Sequence, residues 1–354
     1  MTFLIPFIAS FLISVVLTPL TIIFAKKFGF VDNPKVHKHP AIVHTKTVPR
    51  AGGIAVFAAV FLCVLLFFNP AKELFGILLA GLILVIIGVV DDKYELNSWL
   101  KLALQALAAL IVVLSGVGIS FITDPTGGVI RLDTWRVVFD FFGRHSIVVF
   151  ADLFALFWIV WVINMVNFST GVDGQMPGIV FVSLMVIFAA TLRFIPTDPN
   201  QLVVSQLALV GAGATLGFLI FNFFPAKIFP GDSGSYFLGF LVAVVAILSG
   251  AKVGTAILVM AVPLIDGVFT IFRRIAEGKS PFMGDRKHLH HRLLELGWGQ
   301  RRIALFYWLL CAILGSIALF LPSVQKLFAG VVVAVIILGG LVWLNMNLPQ
   351  KDQG

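Results

Sequence analysis

Long apolar runs constrain this chain more than any other feature. Eleven stretches, near 3–25, 51–69, 74–90, 102–120, 147–167, 177–195, 203–224, 235–250, 253–272, 303–321 and 328–347, approach the ~20 residues of helix needed to cross a ~30 Å hydrocarbon layer. Those at 74–90 and 235–250 are at the short end. Composition agrees: 60% of residues are hydrophobic, only 12% are charged, and mean hydropathy is +1.05, whereas soluble proteins are roughly 45–50% apolar. No fixed-period repeat or low-complexity linker divides the chain. The expected fold is an all-α integral membrane protein, a polytopic bundle of about eleven transmembrane helices forming a single domain over 1–354.

Charge placement predicts the topology. The first run has no cationic stretch ahead of it, is longer than a signal-peptide core, and is followed by Lys26 and Lys27, so it is expected to be retained with its N-terminus outside. With that parity, 18 of the 25 Lys and Arg fall in the loops 26–50, 91–101, 168–176, 225–234 and 273–302 and the tail, and 7 fall opposite. The bias predicts a multi-pass protein of the cytoplasmic membrane with a cytoplasmic C-terminus. It also accounts for much of the net charge of +8 without a nucleic-acid partner, and no basic helix interleaved with stacking aromatics is present. Cys63 and Cys311 lie inside apolar runs and read as packing residues. The outer segment 120–146 has a turn signal at Asp124-Pro125-Thr126-Gly127-Gly128 and a short alternating stretch after it. It reads as a small hairpin followed by an amphipathic interfacial segment over 135–142, with no catalytic role.

Nearly all side chains suited to chemistry sit between the apolar runs, on the predicted cytoplasmic side. Asp91 and Asp92 close the third run, where a helix macrodipole already disfavours negative charge. The pair suits a cation such as Mg²⁺, which takes one or two carboxylates plus phosphates and water, or else is a solvated acidic loop. Lys101 suits a phosphate or snorkels from the next run. Asp232, in Pro230-Gly231-Asp232-Ser233-Gly234-Ser235, stands at a predicted helix N-terminus, where small residues admit an anion; the plain alternative is a helix cap. Asn164, Asn167 and Asp173 surround a turn over 171–174, and Asn222 ends the seventh run. Amides at such depth contact a ligand or bond between helices. His288, His290 and His291 stand among Arg286, Lys287 and Arg292 without helical zinc spacing or a nearby cysteine. Donors of this kind suit a pyrophosphate, or form an exposed basic loop. The conjunction of all four clusters on one face is more specific than any one of them.

In these motifs the chain resembles the polyprenyl-phosphate N-acetylhexosamine-1-phosphate transferases, of the undecaprenyl-phosphate GlcNAc-1-phosphate transferase type. Phospho-N-acetylmuramoyl-pentapeptide transferase belongs to the same superfamily. The resemblance runs from about residue 28 to 305. It rests on Pro49-Arg50-Ala51-Gly52-Gly53, on Asp91-Asp92 with Leu96, Lys101 and Gln105, and on the motif over 164–174. Asn222 with the stretch 225–235, Pro263 with Asp266, and the histidine loop complete it.

The resemblance implies transfer of a sugar 1-phosphate from a UDP-N-acetylhexosamine to undecaprenyl phosphate or another polyprenyl phosphate, with release of UMP. It also implies dependence on Mg²⁺, with Mn²⁺ as a substitute, in the first membrane step of a lipid-linked envelope glycan. By motif position Asp232 resembles the principal metal ligand, with Asp91 and Asp92 beside the metal and the lipid phosphate. Phe229 and Asp173 match positions associated with uridine, and His288, His290 and His291 match a loop associated with the UDP-sugar pyrophosphate. Glu95 and the His-x-His-His loop favour the N-acetylhexosamine branch over the pentapeptide branch. Thr170 stands where the family usually has an acid, Gln175-Met176-Pro177 replaces an apolar continuation, and His37-Lys38-His39 varies the first basic loop. The rival from another class is a transporter or lipid-binding protein, which would carry ionisable groups near the bilayer midplane; here the middles of the runs are nearly free of charge. A homodimer is left open.

Overall fold

Apolar runs without internal water satisfy their backbone within themselves, and the chain accordingly folds into helices. In a computed structural model of the protein, the described residues are 1–34, 46–140, 144–250, 253–282 and 286–347. The helices are α1 (Leu4–Phe28), α2 (Gly53–Phe67), α3 (Lys72–Tyr94), α4 (Ser98–Leu114), α5 (Val149–Asn167), α6 (Gln175–Leu192) and α7 (Asn200–Asn222). They continue with α8 (Gly231–Leu248), α9 (Val253–Val259), α10 (Ala261–Ala276), α11 (Leu289–Glu295), α12 (Gln300–Phe320) and α13 (Ser323–Asn347).

Each predicted run coincides with helix, but among the described residues only eight helices are long and apolar enough to span, or nine if α9 and α10 form one span bent by 80°. The bend has a local cause: Pro263 has no N–H to offer the carbonyl of Val259, the last residue of α9. The remaining two runs are the shorter apolar helices α2 and α4. The protein is therefore a multi-pass helical membrane protein, with fewer full-length spans than eleven.

Enclosure falls from the centre outward. In α8, 83% of the apolar window is buried, against 6% in α13. Small residues let neighbouring backbones meet α8 at its N-terminal turn. A methyl group at Gly88 of α3 would run into the backbone of Ser233, and one at Gly53 of α2 into that of Ser233 and Gly234. Such close approach is how helices pack where apolar burial gives no net drive.

The segment between α4 and α5 departs from expectation. Phe121–Thr123 pairs antiparallel with Val129–Arg131, as predicted, but Arg136–Asp140 pairs with Arg144–Val148 in a second hairpin. That replaces the interfacial segment expected over 135–142. Val137 and Val138, opposite Ile147 and Ser146, are β-branched and favour a pleated strand over a helix.

Candidate active site

The close approach at Gly88 aims the C-terminal turn of α3 at the first turn of α8. Gly231 takes φ +66°, a left-handed conformation that glycine adopts without strain, and a side chain there would also collide with the Asp92 carboxylate. Asp92 accepts a hydrogen bond from the Asp232 backbone N–H at 2.9 Å and one from the Ser233 hydroxyl at 3.3 Å. It thus caps α8 from another helix and offsets the positive end of its dipole. Asp91 is buried. Its Oδ1 accepts from the Leu96 N–H at 2.8 Å, and its Oδ2 accepts from the Tyr236 hydroxyl at 2.8 Å and pairs with Lys101 Nζ at 2.7 Å. Its carboxyl also faces that of Asp232 at hydrogen-bonding range. Three acids and Lys101 therefore meet at one helix start.

A second cation stands beside them. Arg50 pairs with Asp32 and lies close enough to Asp92 and Asp232 to feel their charge. Burial opposes its charge, but these acids more than offset that, so its guanidinium is held above its ordinary value. Arg50 is placed there by backbone pairing. The Phe229 N–H donates to the Pro49 carbonyl at 2.8 Å, while the N–H groups of Gly52 and Gly53 donate to the carbonyls of Phe229 and Pro230, each at 3.1 Å.

Half-buried Phe229 sits between this clasp and the turn before α6. There, Asp173 accepts from the Ala226 N–H at 2.9 Å, and its own N–H donates to Gln300 at 3.1 Å. Gly174, at φ +77°, starts α6. Asn222 is buried, accepting from the Gly174 N–H at 3.0 Å and donating to the Ile228 carbonyl at 2.9 Å, so its amide ties three segments together. Asn164 donates to Gln105 at 2.7 Å and to the Val160 carbonyl at 2.8 Å. Asn167 is half-buried, and its carbonyl accepts from the Thr170 hydroxyl at 2.8 Å.

The histidine loop closes over the same turn. A methyl group on Gly171 would overlap the His290 ring, and Phe168 lies 5.6 Å from the His288 ring. His288 Nδ1 lies 3.0 Å from Asp266 Oδ2, whose other oxygen accepts from the Leu289 N–H at 3.0 Å. The His288 and His290 rings are nearly parallel at 5.5 Å, with His291 next to His290 at 4.3 Å. Burial, then the charges of His291 and His288, push His290 well below its ordinary range, so it is neutral in the folded protein near neutral pH. Arg292 turns away from this cluster, donating from Nε and Nη2 to Asn345 and pairing through Nη1 with Glu295 at 2.7 Å. Lys287 pairs with Glu277 at 2.7 Å.

The acids at α8 are thus linked through the 225–230 loop, which carries Phe229 and meets Asp173 at Ala226, to the turn whose Gly171 meets His290. His37, Lys38 and His39 of the first loop lie outside the described residues. Sequence reasoning missed Tyr236, Asp32 and Asn345 as partners of Asp91, Arg50 and Arg292. Tyr236 was within reach, because it follows Asp232 by four residues and so shares its helix face. Asp32 and Asn345 carry no local signal.

Among the described residues, no three His, Cys, Asp or Glu side chains form a ready-made ligand set for a metal ion. The donors nevertheless suit a hard cation: two carboxyls converge, all the ligating atoms are oxygen, and a third carboxylate supports the turn that carries Asp232.

A family model described as glycosyl transferase family 4 matches residues 74–250, from the start of α3 through both acid motifs to the end of α8. The chain belongs to glycosyl transferase family 4. Over 90% of its length it is 32% identical to a Bacillus subtilis (strain 168) protein named probable undecaprenyl-phosphate N-acetylglucosaminyl 1-phosphate transferase, covering 84% of that protein. It is 31% identical, over 94% of its length and 86% of the relative, to the decaprenyl-phosphate N-acetylglucosaminephosphotransferase of Mycolicibacterium smegmatis (strain ATCC 700084 / mc(2)155). It is 30% identical, over 83% of its length and 77% of the relative, to the undecaprenyl-phosphate alpha-N-acetylglucosaminyl 1-phosphate transferase of Escherichia coli (strain K12).

Proposed function

We propose that the chain transfers N-acetylglucosamine 1-phosphate from a UDP-sugar to undecaprenyl phosphate or a related polyprenyl phosphate, releasing UMP. The observation that carries this reading is the convergence of Asp91, Asp92 and Asp232 at the N-terminus of α8, with Lys101 and Arg50 beside them. A helix start edged by cations favours phosphate groups, and the named activities of relatives covering most of the chain support the sugar and the acceptor.

The lipid phosphate attacks the sugar-side phosphorus of the UDP-sugar. One P–O bond forms, the bridging P–O bond to the uridine-side phosphate breaks, and UMP leaves with that oxygen. The attacking phosphate is ionised near neutral pH, so the protein needs to supply no proton acceptor, and placing the two phosphates in line is its main task. Lys101 and Arg50 draw the phosphates together, and Asp92 holds the α8 turn on which Asp232 is mounted. Phe229 and Asp173 would border the uridine, and Asn167 and the neutral His290 offer hydrogen-bonding groups on the donor side. Mg²⁺, with Mn²⁺ as a substitute, would be held by Asp232 with Asp91 and Asp92 and would neutralise charge on the phosphates and the leaving group.

The positive bias of the motif loops supports a cytoplasmic active site, with the N-terminus outside and the C-terminus inside. The test is transfer of label from UDP-[³H]N-acetylglucosamine to undecaprenyl phosphate by purified protein, with Mg²⁺ and with EDTA. Metal-dependent lipid product together with UMP is the expected result. No product with this or other UDP-sugars, from protein that is folded, would overturn the reading.

A further inference from the structure

Only Leu341 and Leu344 are buried among the 25 residues of α13, the least enclosed of the long helices, and its exposed side chains are mostly apolar, as suits lipid contact. Asn345 breaks that pattern. An amide on such a helix is unfavourable unless it is bonded, and here both ends are. Its Nδ2 donates to the Leu341 carbonyl at 2.8 Å, and its Oδ1 accepts from Arg292 Nε at 3.1 Å and Nη2 at 2.8 Å. Arg292 is 2% exposed, with Nη1 on Glu295, so its donor fork is engaged within the protein on two sides.

Arg292 belongs to α11, which is only 7 residues long. A helix of that length is not stable by itself and keeps its place through tertiary contacts. Besides its apolar packing, polar contacts from other elements hold α11. Asp266 of α10 accepts from the Leu289 N–H at its first turn, and Asn345 of α13 takes Arg292 near its last. Between these anchors stand His290 and His291, with the His290 ring against Gly171. Releasing the second anchor would let α11 swing about the first, and the histidines would move relative to the turn carrying Asp173.

We propose that Asn345 is a positioning residue for the donor site: through Arg292, the C-terminal helix clasps α11 and so fixes His290 and His291 against the turn after α5. That this is the donor side rests on the function proposed above. The assignment also gives α13 a role beyond spanning, because the disposition of a lipid-bathed helix is transmitted to the site through one amide. Arg292 then acts through the protein rather than by direct contact with a phosphate.

The test uses the full-length purified protein, wild type, Asn345→Leu and Asn345→Asp. Amide hydrogen exchange of residues 289–295 is followed together with kinetics in both substrates. Asn345→Leu is expected to speed exchange in α11 and to raise KM for the UDP-sugar by about tenfold, the scale of losing hydrogen bonds to a charged group. The KM for the polyprenyl phosphate and kcat should stay near wild type. Asn345→Asp, which offers Arg292 a carboxylate at the same place, is expected to restore both readouts.

Unchanged exchange and unchanged donor KM in Asn345→Leu would overturn the clasp. So would a uniform loss of kcat with both KM values raised, which is the mark of a general packing defect. Should Asn345→Leu fail to fold, Asn345→Ser is measured by the same criteria. Should wild-type protein turn over no UDP-sugar, the functional reading fails, and the exchange comparison still decides whether α13 holds α11.

Discussion

The start of α8 and the surroundings of α11 are built on opposite electrostatic plans. At α8, Asp91, Asp92 and Asp232 converge, and the cations beside them are Lys101 and an Arg50 already paired with Asp32. Around α11 the groups are matched within the protein: His288 with Asp266, Arg292 with Asn345 and Glu295, and Lys287 with Glu277. Like charges brought together are unfavourable without a further cation or proton, and the function proposed above would bring a cation to the first region. The second holds its own charges.

The sharpest way to break this contrast is at Asp232. Asp232→Asn keeps the volume and removes the charge, and turnover should fall by about a thousandfold or more, as for removal of a central charge-stabilising group. Near-normal turnover would show that the convergence is not used. Gly88→Ala leaves every acid in place but puts a methyl group into the backbone of Ser233. It should separate α3 from α8 and cost about a hundredfold in rate, because small misplacements are expensive in a positioned reaction. Gly339→Ala, on α13 with nothing within 4 Å of the added carbon, should leave the rate unchanged, and equal effects would remove the geometric argument. Tyr236→Phe removes one of the hydrogen bonds to Asp91 while Lys101 and the Leu96 N–H remain. A loss of about tenfold in kcat/KM is expected, in line with one hydrogen bond to a charged group.

At the histidine loop the expected effects are smaller and lie in stability. His290 is held neutral, its folded value depressed below the ordinary ~6.5. The unfolded chain therefore binds the extra proton more readily, and stability should fall as pH drops below ~6.5 and be complete above it. Thermal unfolding across this range should show the dependence in wild type and a shallower one in His290→Gln; equal slopes would reassign it. Glu277 has the smallest expected effect. Its carboxyl is lowered to about 2 by Lys279 and then Lys287, at a largely exposed site. Its contribution is present above the ordinary carboxylate value and is lost as pH falls towards 2. Solvent screening limits Glu277→Gln to a few tenths of a kcal/mol by chemical denaturation near neutral pH.

Much of this is legible in the amino-acid sequence. The apolar runs marked all the long helices, because burying a backbone in hydrocarbon requires long unbroken apolar sequence. The acids, Asp173 and the histidines were legible as separate clusters, since charged and amide groups at the ends of apolar runs are few, while Phe229 came only from the family resemblance. What local sequence concealed is partnership. Arg292 resembled the other cations of its loop, and only the arrival of Asn345 from 53 residues away distinguishes it. The second hairpin was hidden for a different reason: a short amphipathic stretch suits an interfacial helix or a strand equally well until its pairing partner is in place.

By itself, then, the amino-acid sequence determined a helical membrane protein with its polar candidate residues at the ends of apolar runs, because both conclusions follow from hydropathy and charge along the chain. Tertiary structure decided the approach of α3 to α8 through Gly88. It also decided which cations face the acids and which are matched elsewhere. Those outcomes depend on which backbone surfaces pack together, and packing is set by shape across residues far apart in sequence.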